Sequence, residues 1–229
     1  MTAQEHFNTM VKEHVAPFMK QQGFKKSGTS WGLRGSELWG VVALQRNRHS
    51  TSEMIEFWLT LGVSFDVLND HLGFPVPREK VPPSSNMQWH TTLELLTPVD
   101  MPPEFPTELR CLDDHQRWVL RDDSDIDPLG REIVTVMQAV AVPAIRRRRN
   151  IMSFIEMYES SKKNPLGWND HHFAVLLLHA GRTEQAMELF VKSVRENLTH
   201  VSLPWRMKQL SELGLDAAAI EREARKEQA

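Results

Sequence analysis

The chain has 229 residues, 41% hydrophobic and 25% charged, a composition typical of a globular protein that excludes a wholly disordered one. Its 27 basic and 30 acidic residues give a net charge of −3, which excludes a general attraction to polyanions and leaves a local basic patch as the route to nucleic acid. The single cysteine, Cys111, excludes an intramolecular disulfide and a multi-cysteine zinc site and favours a reducing, cytoplasmic location.

The first predicted element is a helix over residues 3 to 22. Its apolar residues recur at three- and four-residue spacing, as on a helix that lies against a core. They are Phe7, Met10, Val11, Val15, Phe18 and Met19. Gly23 is predicted to end the helix, and Pro17, which lacks a backbone donor, predicts a bend or an early end. Charged residues and histidines interrupt this segment throughout, so we expect it to be neither a signal peptide nor a membrane span.

Three strands are predicted next, over residues 29–34, 37–46 and 55–65, after the turn "GFKKSG". In the third strand, apolar residues alternate with smaller or more polar ones, so one face is predicted to lie on the core. The second strand is apolar on both faces. This pattern is typical of a central strand whose second face is also covered.

This part of the chain resembles a known family. A helix that ends in "APFMKQQGFKKSG", a strand that ends in "VVALQRNR" and the strand "FWLTLGVSF" are similar to the bacterial domain of unknown function 4304 family, best over about residues 7 to 65. The resemblance extends more loosely to Trp118 and to the later "AVPAIRR". It implies a soluble bacterial α+β protein and brings no activity or site residue with it.

The remaining chain is predicted to be a proline-rich loop region followed by helices. Residues 73 to 106 read as extended loops around one strand, "MQWHTTLEL", and a further strand is predicted at "HQRWVLRDD". A helical region is predicted from about 128 to 161, broken or kinked at Pro143. Four more helices are predicted near 169–180, 183–196, 203–213 and 216–227.

The last four helices show a weak internal repeat. Leu177, Gly181 and Ala186 fall on Leu210, Gly214 and Ala219 when the sequence is shifted by 33 residues (210 − 177). The first copy, "AVLLLHAGRTEQAMELF", resembles a tetratricopeptide hairpin. The alternative is an ordinary helical hairpin turned by a glycine, which occurs in many α-helical domains.

These elements predict an α+β fold, in which an N-terminal helix packs on an antiparallel sheet of four or five strands and a C-terminal helical region follows. Segments with strand periodicity stop near residue 121. The predicted units are therefore a sheet domain over 1–125 and a helical region over 126–229 that is docked on it or extends from it.

Motifs that carry chemistry are few, and no cofactor or metal site is predicted. His172 and His179 share a helix face but lack the four-residue spacing and the intervening glutamate of metalloprotease helices. The acidic run "RDDSDID" lacks the glycine and the distal glutamate of a calcium loop. No phosphate-binding glycine loop, nucleophile elbow or dinucleotide fingerprint is present.

The basic run Arg146–Arg149 is the candidate nucleic-acid contact. Four consecutive helical residues are spread around the helix at about 100° each, so they cannot form one stripe. We therefore predict an internal salt-bridge cluster with the acidic segment "RDDSDID", with nucleic-acid binding as the alternative.

The candidate ligand site lies on the second face of the predicted sheet. Alternation places Trp39 and Gln45 of one strand on this face with Trp58 of the next, and a matching register of "MQWHTTLEL" adds His90 and Glu94. Aromatic walls with a few polar groups are typical of a ligand groove. The alternative is that the C-terminal helices cover this face and the polar groups satisfy one another.

The function predicted from the sequence is a non-enzymatic binding or interaction protein of the cytoplasm. Its partner is an unknown protein or small molecule, with no nucleic acid and no membrane. One alternative is an enzyme of unrecognised type with a pocket on the sheet face. The other is a nucleic-acid binder that acts through Arg146–Arg149.

Overall fold

The computed structural model of the protein describes residues 1–73, 76–92, 117–160 and 169–226. Its strands are Lys25–Ser27 (β1), Ser30–Arg34 (β2), Leu38–Arg46 (β3), Met54–Phe65 (β4), Trp89–Thr92 (β5) and Trp118–Arg121 (β6). Its helices are Ala3–Met10 (α1), Ala16–Gln21 (α2), Asp66–Leu72 (α3), Ile126–Val136 (α4), Val142–Arg147 (α5), Ile151–Ser160 (α6), Asp170–His179 (α7), Thr183–Arg195 (α8), Leu203–Glu212 (α9) and Ala217–Lys226 (α10). Within the described ranges, no helix combines the length and the apolar character that a membrane crossing requires.

The strands form one antiparallel sheet of six, in the order β1-β2-β3-β4, with β5 and β6 both paired to β4. β5 pairs with the second half of β4, where His90 lies opposite Gly62. β6 pairs with the first half, where Trp118 lies opposite Phe57. The predicted α+β fold with an N-terminal helix and an antiparallel sheet is confirmed. The segment "GFKKSG" itself supplies the short edge strand β1, which pairs with β2, so the sheet begins with an ordinary β-hairpin.

One face of the sheet carries the first apolar core, which α1, α2, α4 and α5 cover. Phe57 of β4 lies at its centre: the Phe7 ring meets it edge-on at 5.0 Å and the Trp118 ring stacks on it at 5.8 Å. Helices α4 and α5 follow residue 125 in the chain, yet Ile133, Met137 and Ile145 belong to this same core. The division of the chain at residue 125 stays a prediction.

A second apolar core lies at the other end of the same face. There α6 to α10 pack on the first residue of β3, the last residues of β4, α3 and Trp89 of β5. Phe154 of α6 meets Phe65 edge-on at 4.9 Å and Trp89 at 5.9 Å. Aromatic contacts of Phe154 thus join α6 to the sheet.

The helix around Pro17 and the helix around Pro143 both continue through the proline. A π turn precedes each one: Val11–Val15 leads into α2, which holds Pro17, and Met137–Ala141 leads into α5, which holds Pro143. In the first π turn the N–H of Ala16 bonds to the carbonyl of Val11, five residues earlier. This wider turn replaces the α-helical pairing with which a proline ring interferes, so neither helix ends where the sequence predicted a bend or break.

The approach of α5 to β3 depends on a glycine. A Cβ atom added at Gly40 would overlap Cγ2 of Ile145, which is buried. We expect Gly40→Ala to lower the free energy of unfolding by about 1–3 kcal/mol because the overlap forces the helix away from the sheet. Urea unfolding of Gly40→Ala, Ile145→Ala and the double variant measures the loss in the free energy of unfolding. The alanine at 145 removes the overlapping methyl, so the double variant should lose clearly less than the two single losses added together, and strict additivity would contradict the contact.

Candidate functional site

The structure places four of the five predicted site residues on the second face of the sheet. Gln45 of β3 lies opposite Trp58 of β4, Trp39 lies opposite Ser64, and His90 of β5 lies opposite Gly62. Glu94 lies outside the described residues. The predicted alternation and the register of β5 therefore hold for these four positions, while their binding role stays a prediction.

The four side chains do not form one cluster. Trp39 and Gln45 are six residues apart on one strand, about 20 Å. Trp39 is 1% exposed, its indole N–H donates to the carbonyl of Arg78 at 3.1 Å, and the Arg34 guanidinium lies 5.6 Å from its ring. Gln45 and Trp58 are half-buried, and His90 is exposed. The structure thus brings Gln45 and Trp58 together and buries Trp39 away from them.

Residues 76–88 cover the centre of this second face. Val81 packs over Gly32 and Trp39, and Met87 packs over Gly62. Further along, the Asn69 amide donates to the Ser64 hydroxyl at 3.0 Å, and the Gln88 amide donates to Asn69 at 2.6 Å. The segment before β5, not the C-terminal helices, provides this covering, and polar groups at that end satisfy one another.

The arginine run makes different contacts from those predicted. Arg146 donates to the backbone and side-chain oxygens of Gln22. Arg148 is buried, with its guanidinium 4.4 Å from the Trp89 ring centre. No ion pair within the described ranges joins Arg146–Arg149 to "RDDSDID"; instead Asp127 contacts His14 at 3.0 Å and Asp125 caps α4. The predicted salt-bridge cluster is wrong because the arginines and this segment lie at opposite ends of α4 and α5.

Arg148 is buried and Arg149 is exposed, so substitutions at these two positions distinguish a role in protein stability from a role in nucleic-acid binding. We expect Arg148→Ala to lower the free energy of unfolding by about 1–3 kcal/mol, since it removes the contact with Trp89 and a hydrogen bond to the carbonyl of Ala144. Arg149→Ala, at an exposed position, should change it by less than about 0.5 kcal/mol. Denaturant titration measures both. The same variants should leave nucleic-acid affinity negligible at low salt, and a salt-dependent affinity that falls with each substitution would favour the nucleic-acid alternative.

A histidine cluster joins α3 to the helical region. The Nε2 atoms of His71 and His171 lie 3.3 Å apart and their rings stack at 5.5 Å. Burial lowers the pKa of His171 to about 3 and that of His172 to about 4, and it also lowers the pKa of His71. The rings are therefore neutral at pH 7. The sequence offered no signal for this contact, since 100 residues separate His71 from His171.

Two observations on the histidine cluster bear on metal binding and on acid–base chemistry. In the part of the chain that the structure describes, no three histidine, cysteine, aspartate or glutamate side chains are arranged to hold a metal ion. His179, which the sequence paired with His172 on one helix face, contacts Glu37 at 3.2 Å. A general acid or base works best with a pKa near the working pH, whereas burial moves the pKa of His171 far from it.

The buried histidines predict acid sensitivity. The folded-state pKa of His171 lies below its ordinary value of 6.5, so the unfolded chain binds more protons below pH 6.5 and stability is lost as pH falls from there. At pH 5 this amounts to about 2 kcal/mol for His171. Urea unfolding between pH 8 and pH 5 should show a shallower fall for His171→Gln than for the wild type. Values at pH 8 report the cost of the substitution itself, and parallel pH profiles would contradict the prediction.

The helical region contains a groove between α8 and α10, with a volume of about 520 Å³. Its apolar surface comes from Met187, Val191, Ala219 and Ile220. Two equivalent turns position these helices: Gly181 (φ 77°) ends α7 and Gly214 (φ 76°) ends α9. In each turn the residue after the glycine donates its N–H to the leucine carbonyl five residues earlier.

The sheet and its first layer of helices correspond to a known family. The family model described as "Domain of unknown function (DUF4304)" matches residues 15–147, more than half of the chain. The chain belongs to this family. The DUF4304 match begins before Pro17 and ends with α5, so it extends the resemblance noted for residues 7 to 65 through the helices that complete the first core. The α8–α10 groove lies outside it. Comparison with curated proteins and with solved structures found no match.

Proposed function

We propose that the protein is a non-enzymatic binding protein whose helical region binds an amphipathic helix of a partner protein. The observation that carries this proposal is the open apolar groove between α8 and α10. A helix that docks in such a groove presents apolar residues at positions i, i+3, i+4 and i+7. Met187 and Val191 lie four residues apart on α8 and form one wall of the groove. Their spacing matches that of the apolar residues on such a helix.

The lining of the groove includes three acidic residues, Glu188, Asp216 and Glu223, and two basic ones, Lys192 and Arg195, and this excess of acidic residues favours a basic partner. Lys192 is held by Asp170 at 2.7 Å, and this contact raises its pKa. Glu188, on the same wall, is exposed and forms no ion pair with another residue in the described ranges. Asp216, on the opposite wall, accepts the N–H of Ala219. A lysine or arginine beside the apolar stripe of the partner would meet these carboxylates.

The sheet face supports a non-enzymatic role. The enzyme alternative requires a pocket there, and Val81 and Met87 occupy the centre of that face. The single cysteine supports a reducing compartment, and we place the protein in the cytoplasm on that ground.

The groove can be tested with two labelled model peptides. Both form an amphipathic helix with a leucine stripe, one flanked by lysines and the other by glutamates at the same positions. We expect the full-length protein to bind the lysine peptide and Val191→Glu to weaken this binding by about tenfold or more, since a charge then lies on the apolar wall. Fluorescence anisotropy measures both affinities.

A matched control separates the groove from general charge effects. Val201→Glu makes the same substitution at a residue that is 90% exposed and outside the groove, so it should bind like the wild type. Glu188→Gln should reduce the preference for the lysine peptide. Equal binding of the two peptides, or equal losses in Val191→Glu and Val201→Glu, would overturn the proposal.

A further inference from the structure

A second groove lies between the end of the first helix and the first hairpin, and all of its lining residues except Lys12 fall within the DUF4304 match. Its volume is about 610 Å³. Lys12, Ala16 and Lys20 line it from the helix at four-residue spacing, so they share one helix face. Lys26 of β1 and Trp31 of β2, which are cross-strand partners, line it from the hairpin. The chain reversal at Gly23, with φ of 86°, brings the two sides together.

The rim of this groove is positively charged, and no carboxylate in its lining balances that charge. Its lining includes four lysines and no acidic residue. Lys12, Lys20 and Lys26 are exposed, and none of them pairs with a carboxylate of the described chain. The fourth, Lys25, has its ammonium 5.8 Å from the Trp39 ring. In a protein of net charge −3, a local group of lysines without acidic partners would be complementary in charge to an anionic ligand.

The floor of the groove is apolar, and a buried donor without an acceptor belongs to one of its lining residues, Trp31. Phe24 and Trp31 are both buried there, and Pro17 adds an apolar surface. Trp31 is 1% exposed, and its indole Nε1 has no hydrogen-bond acceptor within the described chain. A buried indole N–H usually finds an acceptor, because leaving a buried donor unpaired is unfavourable. The contrast with Trp39 is direct, since its N–H donates to the carbonyl of Arg78.

We propose that this groove binds a small anionic amphiphile, a carboxylate or phosphate group joined to an apolar body. The ammonium groups of Lys12, Lys20 and Lys26 hold the anion. The apolar body lies against Phe24 and Pro17. On binding, the lysine side chains at the rim move aside, so that a ligand oxygen reaches and accepts the buried indole N–H of Trp31. Volumes of this size are ordinary for small-molecule sites, which combine an apolar floor with a few polar groups.

This site is independent of the α8–α10 groove. It is built from residues 12–31, whereas the proposed helix-binding groove is built from residues 187–223. The anion class includes both carboxylates and phosphate esters, because lysine binds each as a point charge. The experiment therefore includes one probe of each kind.

The test uses the full-length protein with decanoate and decyl phosphate, each below its micelle-forming concentration. We expect both to bind by calorimetry and to shift the Trp31 indole N–H signal in proton–nitrogen correlation spectra, assigned with Trp31→Phe. Decyltrimethylammonium has the same chain and the opposite charge, and should not bind. Inorganic phosphate alone should bind much more weakly, because it lacks the apolar body.

Charge-matched variants identify the site. Lys20→Gln and Lys26→Gln should each weaken decanoate binding about fivefold. Lys80→Gln removes the same charge from an exposed position outside the groove and should bind like the wild type. These three exposed substitutions keep the test decisive even where Trp31→Phe unfolds.

Several results would overturn the proposal. One is equal binding of decanoate and decyltrimethylammonium, and another is equal loss in Lys80→Gln and Lys20→Gln. A third is an unmoved Trp31 signal in the presence of bound decanoate. Binding of a glutamate-rich peptide at the same lysines, with no gain from an alkyl chain, would replace the amphiphile by an acidic protein segment.

Discussion

The central strand β3 is apolar on both faces, so a stable fold must remove both faces from water. Helices from two parts of the chain cover one face, α5 at Gly40 and the α6–α10 region at Leu38. Residues 76–88 cover the centre of the other face. Glycine in the sheet lets the covering side chains reach the backbone, at Gly40 on one face and at Gly32 and Gly62 on the other. The position of each layer is therefore encoded within the strands themselves.

Local patterns account for what the sequence predicted correctly. Strand alternation placed Gln45 and Trp58 on one face, and the structure pairs them directly. Glycine caps marked the ends of helices, and Gly23, Gly181 and Gly214 all have positive φ. The family resemblance rested on the helix and strands around "GFKKSG", and it is confirmed. Each of these signals lies within a few residues of the feature that it predicts.

The features that the sequence did not predict depend on contacts between distant residues. Nothing near Trp39 in the chain shows that Arg78 accepts its N–H or that Val81 covers its ring. His71 and His171 meet only because α7 packs against α3. The groove between the first helix and the first hairpin is only partly visible in the sequence. Helical spacing relates Lys12 to Lys20, but the chain reversal that adds Lys26 and Trp31 is a tertiary feature. Candidate sites were therefore harder to locate than faces of the sheet.

The π turn before α2 makes this part of the protein tolerant of a change in length. A π turn contains one more residue than the α-helical turn that it replaces. Deleting a single residue from Val11–Val15 would therefore replace the π turn by an α-helical turn and leave the residues that follow on nearly the same faces. Met19 would stay in the core, and Lys20 would stay on the side of the groove that Trp31 also lines. A deletion after the proline, where the helix has no extra residue to lose, would instead rotate the rest of the helix by about 100°.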